Sequence, residues 1–201
     1  MIKNDIIISY LYSIARKKHH LIFKSEPHTL CAARISNTML GYQCSAGSFV
    51  TPYKVDIQSA YPIPLPFPKT TIKAWALLAV QHIPAAELTL RFVSNDEIQT
   101  LNHQYRHKNQ PTNVLAFPSA IPSHIKQKRP FLGDLIIAPG VLEEEHKTLA
   151  KPLDAHWAHI IIHGVLHLLG HTHEEPVPTQ QMQTLEKDYL AQLNFPDPYG
   201  E

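Results

Sequence analysis

Apolar positions along this chain fall into alternating and helical runs, and their order predicts the architecture. Val55-Asp56-Ile57-Gln58 alternates as a short strand does. Pro62 to Pro68 reads as an extended linker, and Thr71 to Gln81, with Ile72, Trp75, Leu78 and Ala79, has helical spacing. Glu87 to Val93 alternates cleanly, and Ser94-Asn95-Asp96-Glu97 is a capping box that starts a helix running to about Tyr105. Asn113 to Phe117 predicts a strand halted by Pro118, and Leu135 to Ala138 another. Gly140 to Leu149 is a short acidic helix, Asp154 to Leu169 a strongly apolar one, and Thr179 to Leu193 an amphipathic one. Strands interleaved with helices predict a single α+β domain, with a mixed, mostly parallel sheet of about four strands and about five helices packed against it. There are no internal repeats.

Residues 1–53 stand apart. After a short amphipathic stretch and the basic Arg16-Lys17-Lys18, the sequence has Ser, Thr and Gly punctuation and no clear period. A poorly ordered or loosely attached extension is expected there, with the working domain at 54–201. The extension is either genuine or the product of an upstream start, Met39 being a later candidate. In Met1 to Ala15, Asp5 interrupts the apolar run and the charge follows it, the reverse of a secretory signal. No apolar run is long enough to span a bilayer. Cys31 and Cys44 make no CxxC pair, which argues against a disulfide framework or a thiolate zinc site and fits a reducing cytoplasm.

The formal charge of +1 announces no polyanion in bulk, but its distribution is uneven. From Leu101 to Phe131 the chain carries Arg106, Lys108, Lys126, Lys128 and Arg129 and no acidic residue. Glu143, Glu144, Glu145, Asp154, Glu174, Glu175, Glu186 and Asp188 tilt the remainder acidic. A basic segment beside a chemically active one suits a polyanionic substrate, although charge alone favours a solvated loop.

The chemistry concentrates in His163-Gly164-Val165-Leu166-His167-Leu168-Leu169-Gly170-His171-Thr172-His173. Histidines four apart on a helix lie one above the other, the spacing that lets two imidazoles share a metal. Gly170 stands where a helix ends in a left-handed residue, so the chain can reverse and return His173 over the same face. Three neutral imidazoles with an open fourth position make a catalytic zinc site rather than a closed structural one; nickel or copper accept the same donors. The zinc-peptidase motif H-E-x-x-H places a glutamate after its first histidine, and here that position is Gly164. The site therefore reads as hydrolytic and not proteolytic, since the metal can activate water without that base.

Taken together, Tyr105-Arg106, Pro111-Thr112-Asn113-Val114-Leu115-Ala116-Phe117-Pro118, Leu132-Gly133-Asp134, His156-Trp157-Ala158-His159, the histidine block and the closing Asp197-Pro198-Tyr199 resemble the YbeY family. The resemblance runs from about Val55 to the end of the chain. It implies a cytoplasmic, zinc-dependent, single-strand-specific endoribonuclease acting in 16S rRNA 3′-end maturation and ribosome quality control. The implied ligands are His163, His167 and His173, holding one ion per chain, and the family's characteristic arginine falls on Arg106. The chain departs from the family at Thr172, where Asp is usual, so Glu174 or Glu175 is expected to supply the missing carboxylate. It departs also at Ala116, where Ser is common.

On this reading the metal activates water or polarises a phosphoryl oxygen, and Arg106 grips the scissile phosphate. Lys108, Lys126, Lys128 and Arg129 track the RNA backbone. Tyr105 and Phe117 read as packing residues sooner than base-stacking ones, and His156 and His159 as helix-surface or ligand-supporting residues. The expected partners are single-stranded RNA, rRNA and ribosomal particles, with no membrane, and the expected state is a monomer. A metal-dependent hydrolase of peptides or small molecules, and a ribosome assembly factor with little nuclease activity, are the competing classes.

Overall fold

The alternation that marked Glu87 to Val93 becomes a half-buried strand. Ala86, Leu88, Leu90 and Phe92 are fully buried, while Glu87, Thr89 and Arg91 on the other face stay partly open. The computed structural model describes residues 51–122, 125–149, 151–173 and 175–200. The expectations for Met39, Cys31, Cys44 and nearly all of the N-terminal extension lie outside the described residues, as does Glu174.

The described residues form a four-stranded sheet in the order β1-β2-β4-β3. Strand β1 (Tyr53–Ser59) runs parallel to β2 (Ala86–Phe92), which runs parallel to β4 (Phe131–Ile137). Strand β3 (Val114–Pro118) closes the edge antiparallel to β4. The sheet is thus mixed and mostly parallel, as expected. Strand β4 begins at Phe131, ahead of the apolar run at Leu135, because its early residues pair on both sides, Gly133 with Leu88 and Pro118. Ladder hydrogen bonds there override the local Gly-Asp composition.

Five helices complete the domain: α1 (Lys69–Val80), α2 (Asn95–Arg106), α3 (Pro139–Leu149), α4 (Leu153–Leu168) and α5 (Pro176–Gln192). The larger core joins one sheet face to α1, α4 and α5 through Leu88, Leu90, Leu135, Ile137, Ile72, Trp157, Ile161, Val165 and Leu190. The opposite face carries a smaller cluster, Ile98 of α2 with Leu115, Ile136 and Ala138. Period-two alternation in β3 and β4 separates the two sets. Pro62 to Pro68 is more than a linker: Phe67 meets Trp75 edge-on at 5.1 Å and Trp157 at 5.6 Å, locking the entry to α1 onto α4.

Helix α4 is the central element. It buries Trp157, Ala158, Ile161, Ile162, Val165 and Leu166 completely, so packing and not intrinsic propensity holds it. Its start is tied to the β3 end of the sheet through a polar bridge, with His156 Nε2 2.9 Å from Glu145 and Asn113 Nδ2 donating to the same carboxylate. His156 is buried at 4% exposure against Glu145 and therefore does not belong to the helix surface.

Candidate metal centre

Packing on the sheet side of α4 decides which residues its last turns leave free. Gly164 is buried against Leu135 and Val114, so the neighbouring His163 and, one turn on, His167 point away from the sheet. Their Nε2 atoms stand 3.1 Å apart. Helix α4 then closes in the hydrogen-bond pattern of a Schellman motif, with Gly170 N–H donating to His167 O and His171 N–H to Leu166 O, both at 3.0 Å. Gly170 takes φ +92°, the left-handed value the sequence anticipates. The reversal brings His173 back over the helix: its ring stacks on His163 at 5.5 Å and lies 4.9 Å from that of His167. One ligand atom from each of the three histidines falls within 4.8 Å of the other two.

Proton placement around the cluster follows from its partners. His163 Nδ1 donates to Glu186 Oε1 at 2.6 Å, and His167 Nδ1 donates to the carbonyl of His171 at 2.9 Å. Both acceptors are oxygens that carry no proton, so Nδ1 holds the hydrogen in each ring and the Nε2 lone pairs face one another. Two lone pairs at that distance need a proton or a cation between them, and three convergent imidazoles, two of them anchored outside through Nδ1, are a donor set a divalent transition metal takes. Burial, reinforced by the neighbouring His163, lowers the pKa of His167 to about 4; His173 and Arg106 act in the same direction, and only the bond to His171 opposes them. His167 is thus neutral at neutral pH, the state in which an imidazole can take a metal.

Glu186 is the participant that local sequence reading missed. It sits on α5 with no exposed surface. Burial would raise its pKa, but hydrogen bonds from His159, His163 and Tyr199 prevail and lower it to about 2. The Tyr199 hydroxyl donates to its Oε2, and His159 Nε2 approaches the same oxygen at 3.5 Å. His159 thus faces the carboxylate that anchors His163, and with His163 and Glu186 it forms a second convergent group of donors. The signal for Glu186 was its place on a helical apolar face, with Met182 four residues before it and Leu190 four after, where an unpartnered carboxylate would be expensive. Thr172 and Glu175 are exposed, and among the described residues their side chains make no hydrogen bond or ion pair with the histidines.

Arg106 ends α2, and its charge reaches His167. Among the described residues no carboxylate pairs with it. Tyr105 meets Phe117 edge-on at 5.2 Å, which spends both rings on packing and seats this end of α2 beside the C-terminal end of β3. Exposed Lys108 follows the left-handed His107, and Lys126, Lys128 and the half-buried Arg129 lie on the loop between β3 and β4.

The family model for Endoribonuclease YbeY matches residues 66–194. The chain belongs to the YbeY endoribonuclease family. A curated Endoribonuclease YbeY from Legionella pneumophila is 47% identical over 148 residues, covering 73% of this chain and 94% of the relative. Another from Pseudomonas putida is 43% identical over 149 residues, covering 74% and 94%. Among solved structures, the solution structure of TM1509 from Thermotoga maritima matches at 22% identity with a TM-score of 0.48, covering 73% of this chain and 99% of that one. The stretch matched to the YbeY model includes Arg106 and the whole histidine block and stops short of Tyr199.

Proposed function

We propose that this chain is a metal-dependent, single-strand-specific endoribonuclease of rRNA processing, acting in 16S rRNA 3′-end maturation and ribosome quality control. The observation that carries the reading is the convergence of three imidazoles, with Nδ1 of His163 and of His167 committed elsewhere, beside an arginine without a carboxylate partner among the described residues. His163, His167 and His173 would hold one zinc ion or another divalent transition metal. When bound, that ion supplies Lewis acidity toward a phosphoryl oxygen and lowers the pKa of water.

The chain's own residues do the rest. Glu186 and the His171 carbonyl fix the tautomers and ring planes of His163 and His167, so no reorganisation is needed at the reacting centre. Arg106 presents a planar fork to the scissile phosphate and balances charge as it accumulates on the equatorial oxygens. RNA brings either its own 2′-hydroxyl or an attacking water as nucleophile. Lys108, Lys126, Lys128 and Arg129 hold the flanking backbone. Gly164 faces the core at the position where a zinc peptidase carries its glutamate base, which weighs against peptide hydrolysis. No helix among the described residues is long and apolar enough to cross a membrane. A cytoplasmic monomer meeting rRNA and ribosomal particles completes the proposal.

The test pairs metal analysis with cleavage of a single-stranded rRNA fragment. Wild type should carry zinc and cut, His167→Ala should lose both, and Arg106→Ala should keep the metal and stop cutting. A loaded protein that leaves RNA intact would overturn the nuclease reading while leaving the metal centre standing.

A further inference from the structure

The last residues of the chain are fastened at three points. Lys151 Nζ donates to the Pro198 carbonyl at 2.6 Å, Lys187 pairs with Asp197 at 2.9 Å, and the Tyr199 hydroxyl donates to Glu186. Pro198 is buried, and the Tyr199 backbone N–H is turned onto Asp197 Oδ1 at 2.8 Å, which orients the phenol. The Tyr199 ring also meets His159 edge-on at 5.7 Å. Burial and the ionised Glu186 raise the pKa of Tyr199, so it remains a donor throughout the physiological range.

Glu186 has two oxygens and distinct tasks for them. Oε1 receives His163, while Oε2 receives Tyr199 and faces His159. A fully buried carboxylate bound only through Oε1 would be left to rotate about its terminal torsion and would lack compensation on its other oxygen. The C-terminal tyrosine removes that freedom. We infer that Tyr199 and Glu186 form a positioning relay, in which the C-terminal segment clamps the carboxylate that aims His163 Nε2 at the metal. The inference rests on the metal reading of the three histidines. It extends that reading to a tail that touches none of the reacting atoms. It also assigns the group of His159, His163 and Glu186 to ligand support instead of a second ion, because the ligand-facing oxygens already accept hydrogen bonds.

The experiment is titration of the full-length, metal-stripped protein with Co2+, read by the visible absorption of the bound ion, for wild type, Glu186→Gln, Tyr199→Phe and the double variant. Wild type should bind one Co2+ per chain. Glu186→Gln should bind about 10- to 100-fold more weakly, with altered band intensities that report a displaced ligand. Tyr199→Phe should bind about 2- to 10-fold more weakly, the loss of one hydrogen bond, with its melting temperature in the metal-free state close to wild type. In the double variant the Tyr199 change should add nothing to the Glu186 change, since one acts through the other. Wild-type affinity in Tyr199→Phe overturns the relay, and so does a Tyr199→Phe loss of equal size in both backgrounds. Two Co2+ ions per wild-type chain overturn it by making Glu186 a ligand. No Co2+ band in wild type would overturn the metal reading itself and this inference with it, whereas a wild-type band unchanged in all variants overturns the relay alone.

Discussion

A Cβ placed on Gly164 would stand 2.1 Å from Leu135 Cδ2 and 3.2 Å from Cδ1 of the same side chain. Leu135 has no exposed surface in which to retreat, and Val114 Cγ2 closes another side at 3.2 Å. Overpacking of this kind costs about 1–3 kcal/mol, against a helix-propensity gain of about 1 kcal/mol for replacing glycine. Gly164→Ala should therefore destabilise the protein by up to about 2 kcal/mol in urea unfolding, and Gly164→Glu should fail to give a folded peptidase. A Gly164→Ala protein more stable than wild type would mean that β4 yields more readily than this packing implies.

Acid should loosen the metal-free protein in two stages. His167 takes its proton near 6.5 when unfolded and only at about 4 when folded, so the unfolded chain binds more protons between those values. Stability should fall across that window as pH is lowered. Glu186, with its pKa lowered from 4.5 to about 2, then contributes stability that disappears over the next interval down. In His167→Gln the melting temperature should vary less between pH 6.5 and 4 than in wild type. Equal slopes would remove His167 as the cause.

Ser94 Oγ accepts from the Glu97 N–H at 3.2 Å, and Glu97 in turn pairs with Arg91 at 2.8 Å. This cap starts the helix that ends in Arg106. Ser94→Ala should cost about 1 kcal/mol in chemical unfolding and leave metal content unchanged.

Much of this was legible from local pattern. The Ser94 cap, the alternation of β2 and the glycine stop of α4 are each decided by a few adjacent residues, and the structure realises them, although the Glu97 half of the capping box is spent on Arg91 instead. Family resemblance added the order of the motifs. Glu186 was not legible in the same way, because the residue that anchors His163 lies on a different helix and meets it only after α4 and α5 pack. Along the chain the described Glu175 is exposed, whereas the fold brings a carboxylate to His163 from across it. The burial of His156, which excludes a place on the helix surface, escaped for a related reason: Glu145 reaches it from α3 and is itself held by Asn113 at the entry to β3.

The basic loop should reveal itself through salt. If Lys126 and Lys128 each contact one phosphate, Lys126→Ala and Lys128→Ala together should flatten the dependence of log affinity on log salt by about 1.4 for single-stranded RNA. Metal content should not change. An unaltered slope would place the RNA elsewhere.

Strand β1 starts at Tyr53, with Pro52 O accepting from Ala86 N–H and Thr51 Oγ1 donating to Tyr53 O. A chain beginning at Thr51 keeps these bonds and should remain soluble, loaded with metal and active on RNA. Aggregation of the shortened chain beside a soluble full-length protein would show that the first fifty residues matter to the fold.

Gly170 has open space where its side chain would be, with no atom within 4 Å of a built Cβ. Nothing crowds the position; only the positive φ excludes an ordinary residue. The return of His173 to its partners is therefore a matter of handedness rather than of room. A semisynthetic protein with D-alanine at position 170 should close the turn as well as glycine does, while L-alanine should open it, and the third imidazole would leave with it.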